Sequence, residues 1–293
     1  MQPRTALDPD HVAAIDSVVR TLVQRQRRAT DVGLFFSLGH STVVVLATAG
    51  VAVATSALPE VFTKVRVVGQ AIGSGVSAVF LLLIGAANLL VLRDVWRRLG
   101  AMRRGEPADP EMAAVGRGVV GRIVAPLSRL VSRSWHMYPL GFLFGLGFDT
   151  ATEVGLLGIS ATQSANGLPV WSILVFPTLF TAGMTLVDTT DSVLMTGAYQ
   201  WSLTDPLRTL WYNVTMTAAS AAVALLIGVI ESVVIVADRI GRTGPAAGGL
   251  WSVAGVLDRN PTWVGVGILV VFASVWLASA VAYRRARPSA GTC

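Results

Sequence analysis

The sequence almost lacks cysteine, since Cys293 is its only one, and this excludes a disulfide framework, a thiolate metal site and a catalytic cysteine. Charge is also scarce: 14% of the 293 residues are charged, against about 25% in soluble domains, while 53% are hydrophobic. The motifs Gly-x-x-x-x-Gly-Lys-Ser/Thr, His-Glu-x-x-His and Gly-x-Ser-x-Gly are absent, which argues against an ATP site, a zinc protease and a hydrolase. The composition predicts an integral membrane protein.

Long apolar runs are what the sequence has instead. Six of them approach the ~20 residues that a helix needs to cross a bilayer, and the region 4–22 is a seventh, more polar candidate. The six runs lie at about 32–57, 71–91, 138–159, 170–193, 209–236 and 262–283. The sequence therefore predicts an all-α, polytopic transmembrane helix bundle of about seven spans, forming one integral membrane domain over residues 1–293.

Basic residues indicate the orientation of the bundle. The links 20–31, 92–137 and 194–208, together with the tail after Tyr283, hold 17 of the 23 Lys and Arg residues. The positive-inside rule places these links and the C-terminus in the cytoplasm. The net charge of +6 thus reflects topology, and no nucleic-acid partner is expected. The link 92–137 is predicted to be a long basic loop, in which 112–131 is either an amphipathic helix on anionic lipid or simply solvated.

The first predicted span is unusually polar. With seven spans and a cytoplasmic C-terminus, the N-terminus would lie outside, carried across only by residues 4–22. This region contains Asp8, Asp10, His11 and Asp16, which make it a poor insertion signal. We therefore expect a further apolar helix to precede it, upstream of Met1.

Carboxylates recur inside the apolar runs. Asp149 and Glu153 are four residues apart and Asp188 and Asp191 are three apart, so each pair shares a helical face. A carboxylate at bilayer depth costs roughly 2.5–3.5 kcal/mol, which favours a bound cation over charges that merely reach the headgroups. The region 170–204 is too long for one straight span, and either breaks near Gly183 and residues 188–192 or ends near Asp191.

Histidines provide a second kind of ligand. Asp8 and His11 share a helical face, Asp10 adjoins His11, and imidazole with carboxylate suits Ni²⁺, Co²⁺ or Zn²⁺. His40 lies in the middle of its run between hydroxyl groups; it is either a metal ligand or a hydrogen-bonding group between helices. His136 and Glu231 are interpreted as structural.

Four segments resemble, in order, the motifs of the nickel/cobalt transporter (NiCoT) family of bacterial and fungal permeases. They are Arg4-Thr-Ala-Leu-Asp-Pro-Asp-His11, Leu38-Gly-His-Ser-Thr42, Leu146-Gly-Phe-Asp-Thr-Ala-Thr-Glu153 and Gly183-Met-Thr-Leu-Val-Asp-Thr-Thr-Asp191. The resemblance implies an eight-helix permease with both termini cytoplasmic, which agrees with a missing first helix. Thr5 replaces a histidine of the family motif. The implied metal ligands are Asp8, Asp10, His11, His40, Asp149, Glu153, Asp188 and Asp191.

The function expected from this resemblance is secondary uptake of Ni²⁺ and/or Co²⁺ through a bacterial inner membrane, driven by the membrane potential or a proton gradient. The metal is then the transported ion rather than a cofactor, and the other partner is membrane lipid. Two alternatives remain at this point. One is a truncated or degenerate metal-binding membrane protein without transport, and the other is a membrane-embedded metalloenzyme.

Overall fold

The computed structural model describes residues 8–54, 59–103, 131–147, 151–202, 206–240, 249–258 and 260–286. Within these ranges every regular element is a helix, which confirms the predicted all-α fold. The α-helices are α1 (Pro9–Gln24), α2 (Val32–Ala54), α3 (Pro59–Arg103), α4 (Met137–Gly145), α5 (Ala151–Ala165), α6 (Val170–Ile173), α7 (Val175–Ser202), α8 (Pro206–Arg239), α9 (Gly249–Asp258) and α10 (Pro261–Ala286). A 3₁₀ turn at Ser134–His136 precedes α4.

In the described part of the chain, four stretches are long and apolar enough to cross a bilayer: Val32–Ala52, Val67–Arg93, Val170–Gln200 and Val214–Arg239. They belong to α2, α3, α6 with α7, and α8, and α10 adds a shorter apolar stretch at Trp263–Val275. Apolar side chains face outward along these helices, for example Leu179, Leu186 and Leu194 on α7. This distribution is that of a multi-pass membrane bundle, as the sequence predicts.

The most polar helix, α1, is also the most enclosed. Fourteen of its 16 residues are buried, and it packs against α2, α3, α7, α8 and α10. Its charged groups are costly in contact with lipid but can find partners in the interior of a bundle. The composition that makes α1 a poor insertion signal therefore fits a central position in the folded protein.

Two charged residues tie α1 to its neighbours. Asp16 and Arg20 are one helical turn apart and both are buried. Asp16 accepts hydrogen bonds from Tyr199 Oη (2.7 Å) and Ser220 Oγ (2.5 Å), and Arg20 donates to Thr217 Oγ1 (2.9 Å) and to Asn88 Oδ1. Buried charges are tolerated only with such partners, and these bonds hold α1 against α3, α7 and α8.

Helix α2 lies unusually close to α4. A Cβ atom added at Gly39 would lie 2.0 Å from the Tyr138 carbonyl oxygen, and one at Gly141 would lie 2.0 Å from that of Phe36. Only glycine permits this separation of the two backbones, which is the way small residues act in membrane helix packing. The close contact places the C-terminal end of α4 beside His40, because Gly145 adjoins the His40 backbone.

Some predicted boundaries differ from the structure. The run predicted as one span at 138–159 is two helices, α4 and α5. The alternative of a broken helix in 170–204 is wrong, because α7 runs without interruption through Gly183 and Asp191 to Ser202. A single span is correct there, but it extends beyond Asp191.

The links also differ from the prediction in part. The start of the predicted loop at 92–137 is helical, because α3 continues to Arg103, and Met137 opens α4. Most of the segment 112–131, predicted as an amphipathic helix or a solvated loop, lies outside the described residues. The sequence did not predict α9, which lies in the link 237–261.

Candidate metal centre

The first turn of α1 gathers three potential ligands. Proline is favoured at the start of a helix because its φ angle is already helical and its missing N–H is not needed there, and Pro9 occupies this place. The turn brings one ligand atom each of Asp8, Asp10 and His11 to within 4.8 Å of one another. Asp10 Oδ1 also accepts a hydrogen bond from the His11 backbone N–H (2.9 Å). The three side chains are close enough to bind one cation together.

Helices α2 and α7 bring further ligands to His11. Its Nδ1 atom lies 3.6 Å from Asp188 Oδ2, and its ring meets the His40 ring edge-on with centroids 4.7 Å apart. His11 Nδ1 and Asp188 Oδ2 form a loose ion pair with each other, and neither atom has a hydrogen bond, although both residues are only 2% exposed. Leaving buried polar atoms without a full hydrogen bond is costly. A cation coordinated between them would remove that cost, so the donor set fits a divalent metal.

Helix α5 orients His40. Glu153 lies in its first turn, is fully buried, and contacts His40 Nε2 through its Oε1 atom. A carboxylate on one imidazole nitrogen fixes the ring and makes the other nitrogen a better ligand. That other nitrogen, His40 Nδ1, has no hydrogen-bond partner. Glu153 therefore supports the centre through His40.

Glu153→Gln is expected to lower the apparent affinity for nickel by about 10–100-fold, the usual cost of losing a carboxylate behind a metal-bound histidine. The amide keeps the size of the side chain but removes its charge. The measurement is the dissociation constant of Ni²⁺ from the purified protein, with Thr162→Val as a control on the exposed side of the same helix. An unchanged dissociation constant would show that Glu153 does not act through His40.

Two more side chains of α7 lie on the same side of the helix as Asp188, one turn after it and one turn before it. Asp191 is buried one turn further on, near the like-charged carboxylates of Asp188 and Asp16, and its Oδ2 atom has no hydrogen-bond partner. One turn before Asp188, the sulfur of Met184 is 3.7 Å from Ser41 Oγ. A thioether is a soft donor suited to late transition metals. Sequence reasoning gave Met184 no role, although it stands inside a motif.

The structure brings most of the predicted ligands together. Seven of the eight lie in the described residues; Asp149 and also Thr5 lie outside them. Asp191 stands apart from the first turn of α1, and the remaining six form one connected group: Asp8, Asp10, His11, His40, Glu153 and Asp188. That they bind metal remains a prediction, now with a geometry that permits it.

Sequence reasoning missed a link from this group to α3 and α8. Ser77 Oγ lies 2.9 Å from Glu231 Oε1 and 3.4 Å from Asp10 Oδ2. Glu231 was interpreted as structural because no motif surrounds it, and nothing in the sequence pairs it with residues 154 positions away. His136 accepts a hydrogen bond from the Ser132 backbone N–H, and its ring meets that of Trp135 edge-on.

Comparison with known proteins identifies the family. The family model NicO, described as a high-affinity nickel-transport protein, matches residues 4–282. The chain belongs to this nickel/cobalt transporter family. The match confirms the resemblance seen in the four motifs and extends from α1 into α10. No solved structure matches the chain.

Curated relatives of this permease are named as transporters of nickel or cobalt. The high-affinity nickel transport protein of Cupriavidus necator is 49% identical over 97% of this chain and 81% of its own length. The nickel transporter NicT of Mycobacterium tuberculosis is 42% identical over 93% of this chain and 73% of its own. The cobalt transport protein NhlF of Rhodococcus rhodochrous is 37% identical over 93% of this chain and 77% of its own length. None of these names denotes an enzyme.

Proposed function

We propose that this permease carries Ni²⁺ or Co²⁺ into the cell as a secondary transporter. The observation that carries the proposal is the buried group of carboxylates and imidazoles where α1, α2, α5 and α7 meet. His40 lies eight residues after Val32, the first residue of its span, which at a rise of 1.5 Å per residue is about 12 Å from that end. A site at that depth can bind an ion on its way across the membrane.

The ligand types favour a divalent transition metal. Carboxylates alone suit Mg²⁺ or Ca²⁺, whereas imidazoles beside them favour Ni²⁺, Co²⁺ and Zn²⁺. Asp8, Asp10 and Asp188 place three carboxylates around His11, and since Asp10 and Asp188 are buried, holding them together without a cation is costly. Since relatives are named for nickel and for cobalt, both ions are proposed substrates, with Asp149 and Asp191 as further ligands along the path.

The membrane potential is a sufficient energy source. Moving one charge through 100 mV is worth about 2.3 kcal/mol, so an inward-moving divalent ion gains about 4.6 kcal/mol. That energy corresponds to more than a thousandfold accumulation at equilibrium, at about 1.4 kcal/mol per factor of ten. A proton gradient is the other proposed source, and ATP is not required.

The proposed orientation follows from the basic links. With the C-terminus in the cytoplasm of a bacterial cell, the N-terminal end of α1 and the C-terminal end of α8 face outward. The first turn of α1, with Asp8, Asp10 and His11, then meets the ion from the outer side. The exposed leucines of α7 are available in this orientation to contact the acyl chains of the membrane.

Proteoliposomes holding the purified chain test the proposal. An outward potassium gradient with valinomycin makes the lumen negative, and nickel-63 uptake against the nickel gradient is expected under this condition. The uptake should vanish when the membrane potential is clamped at zero. A pH gradient imposed at zero potential tests the proton-driven alternative. Excess unlabelled Co²⁺ should compete, and an excess of Mg²⁺ should not. Metal binding without flux under either gradient would instead indicate a binding protein that does not transport.

A further inference from the structure

A cavity of about 480 Å³ adjoins the metal centre. It lies at the end of the bundle where α1 begins and α8 ends, and α3, α9 and α10 complete its wall. Its lining includes Asp8 and Asp10, which are also members of the metal centre, and Gln70, Ala71 and Ser74 from α3. The cavity is therefore continuous with the ligand group in the first turn of α1.

The charges around this cavity are mostly negative. Helix α8 contributes Glu231, Asp238 and Arg239, so with Asp8 and Asp10 four carboxylates face one guanidinium. A cleft with low-dielectric walls and charge of one sign raises the local concentration of the opposite ion by about 10–10³-fold. The potential in this cavity consequently favours cations.

One hydroxyl connects the cavity wall to the metal centre. Ser77 Oγ lies between Glu231 Oε1 (2.9 Å) and Asp10 Oδ2 (3.4 Å). A serine hydroxyl has a single proton to donate, and the shorter contact gives that proton to Glu231. The contact of Asp10 Oδ2 with this hydroxyl is the longer one, so a cation that binds there displaces no strong hydrogen bond from Ser77.

We propose that this cavity is the vestibule through which the cation reaches the metal centre, and that Glu231 is the carboxylate that passes it to Asp10. Glu231 lies within the span Val214–Arg239, where an ionisable side chain is costly and usually functional. Ser77 acts as a positioning residue that keeps the two carboxylates on either side of one hydroxyl. The inference rests on the proposed transport function.

Thiol labelling tests the vestibule without transport. In a Cys293→Ser background, Ala71→Cys places a thiol on the cavity wall, and Val79→Cys places one on the lipid-facing side of the same helix. We expect Ala71→Cys to react at least about tenfold faster with a trimethylammonium methanethiosulfonate than with its anionic sulfonate analogue, relative to their rates with free thiol. Val79→Cys should react with neither. Equal relative rates at Ala71→Cys, or no reaction there, would overturn the inference.

Uptake kinetics test Glu231 itself. Glu231→Gln is expected to raise the KM for nickel about tenfold with little change in maximal rate, and to reduce the cation preference at Ala71→Cys, whereas Glu231→Asp should restore both in part. Asp31→Asn removes the same charge in the turn before α2, away from the cavity, and should change neither. An unchanged KM and an unchanged labelling preference in Glu231→Gln would refute the relay.

The two tests separate this inference from the proposed function. If the wild-type chain carries no nickel but Ala71→Cys still prefers the cationic reagent, the transport proposal fails and the cation-selective cavity remains. If the chain carries nickel but labelling at Ala71→Cys is indifferent to charge, transport stands and the vestibule is refuted. If Glu231→Gln does not fold, the uptake kinetics of Glu231→Asp still test the role of Glu231. Labelling at Ala71→Cys with Glu231 intact still tests the vestibule.

Discussion

His11→Ala is expected to reduce nickel uptake at least about 100-fold. Changes to residues behind a metal ligand already cost 10–100-fold in affinity, and His11 stands at the point where the other groups meet. It adjoins Asp10 in sequence, lies 3.6 Å from Asp188, and contacts the ring of His40. Its removal separates the carboxylates of α1 from the ligands of α2 and α7. Nickel-63 uptake in proteoliposomes, normalised to protein, measures the loss.

The matched control for this substitution is His136→Ala. His136 is half-buried in the turn before α4 and contacts Trp135 and the Ser132 backbone. The substitution removes an imidazole of the same size as that of His11. Since His136 does not belong to the metal centre, uptake should remain near that of the wild type. Comparable uptake by both variants would remove His11 from the metal centre.

Much of the candidate metal centre could be proposed from the sequence because some of its members lie in short local patterns. Asp8, Asp10 and His11 are neighbours in sequence, and a helix turn alone brings them together. The pairing of His40 with Glu153 was beyond sequence reasoning, since they are 113 positions apart and belong to different helices. The family resemblance named both residues, and only the fold shows that one orients the other.

Helix boundaries were less predictable, for a physical reason. Hydropathy measures whether a run is apolar enough for lipid, and it does not register where the backbone turns. The run 138–159 is apolar throughout, yet it forms two helices. In α7 the broken-helix alternative, suggested by Gly183 and residues 188–192, was wrong, and the single-span alternative placed the end of the helix too early. The carboxylates of Asp188 and Asp191 face α1 and its polar groups rather than lipid, so they do not interrupt the helix.

Glu231 shows the limit of motif reasoning. A lone carboxylate in a span has no pattern in sequence that reveals its partner, and Ser77 is an unremarkable residue of another apolar helix. Their contact depends on how α3 packs against α8, the most extensive helix pairing in the bundle. Long-range packing, rather than local spacing, places this carboxylate beside Asp10.

Gly33→Ala is expected to abolish uptake and lower thermal stability, although it adds a single methyl group. Gly33 is the second residue of α2, and its N–H, which has no partner within the helix, donates to Ser192 Oγ on α7 (2.7 Å). An added Cβ would lie 1.9 Å from the Asp188 carbonyl oxygen. Helix α7 would have to move away by about 1.5 Å, and misplacing a functional group by about 1 Å can cost 10²-fold in activity.

Gly183→Ala provides the contrast, because the same methyl group on α7 meets nothing within 4 Å. Alanine is favoured over glycine within a helix by up to about 1 kcal/mol, so this variant should be as stable as the wild type or more so, with normal uptake. Thermal unfolding in detergent and nickel-63 uptake measure both variants. If Gly33→Ala also kept its uptake, the contact between α2 and α7 would not set the position of Asp188, and the metal centre could not depend on that glycine. Loss in Gly33→Ala alone would show that backbone proximity at α2 and α7 fixes the distance between Asp188 and His11.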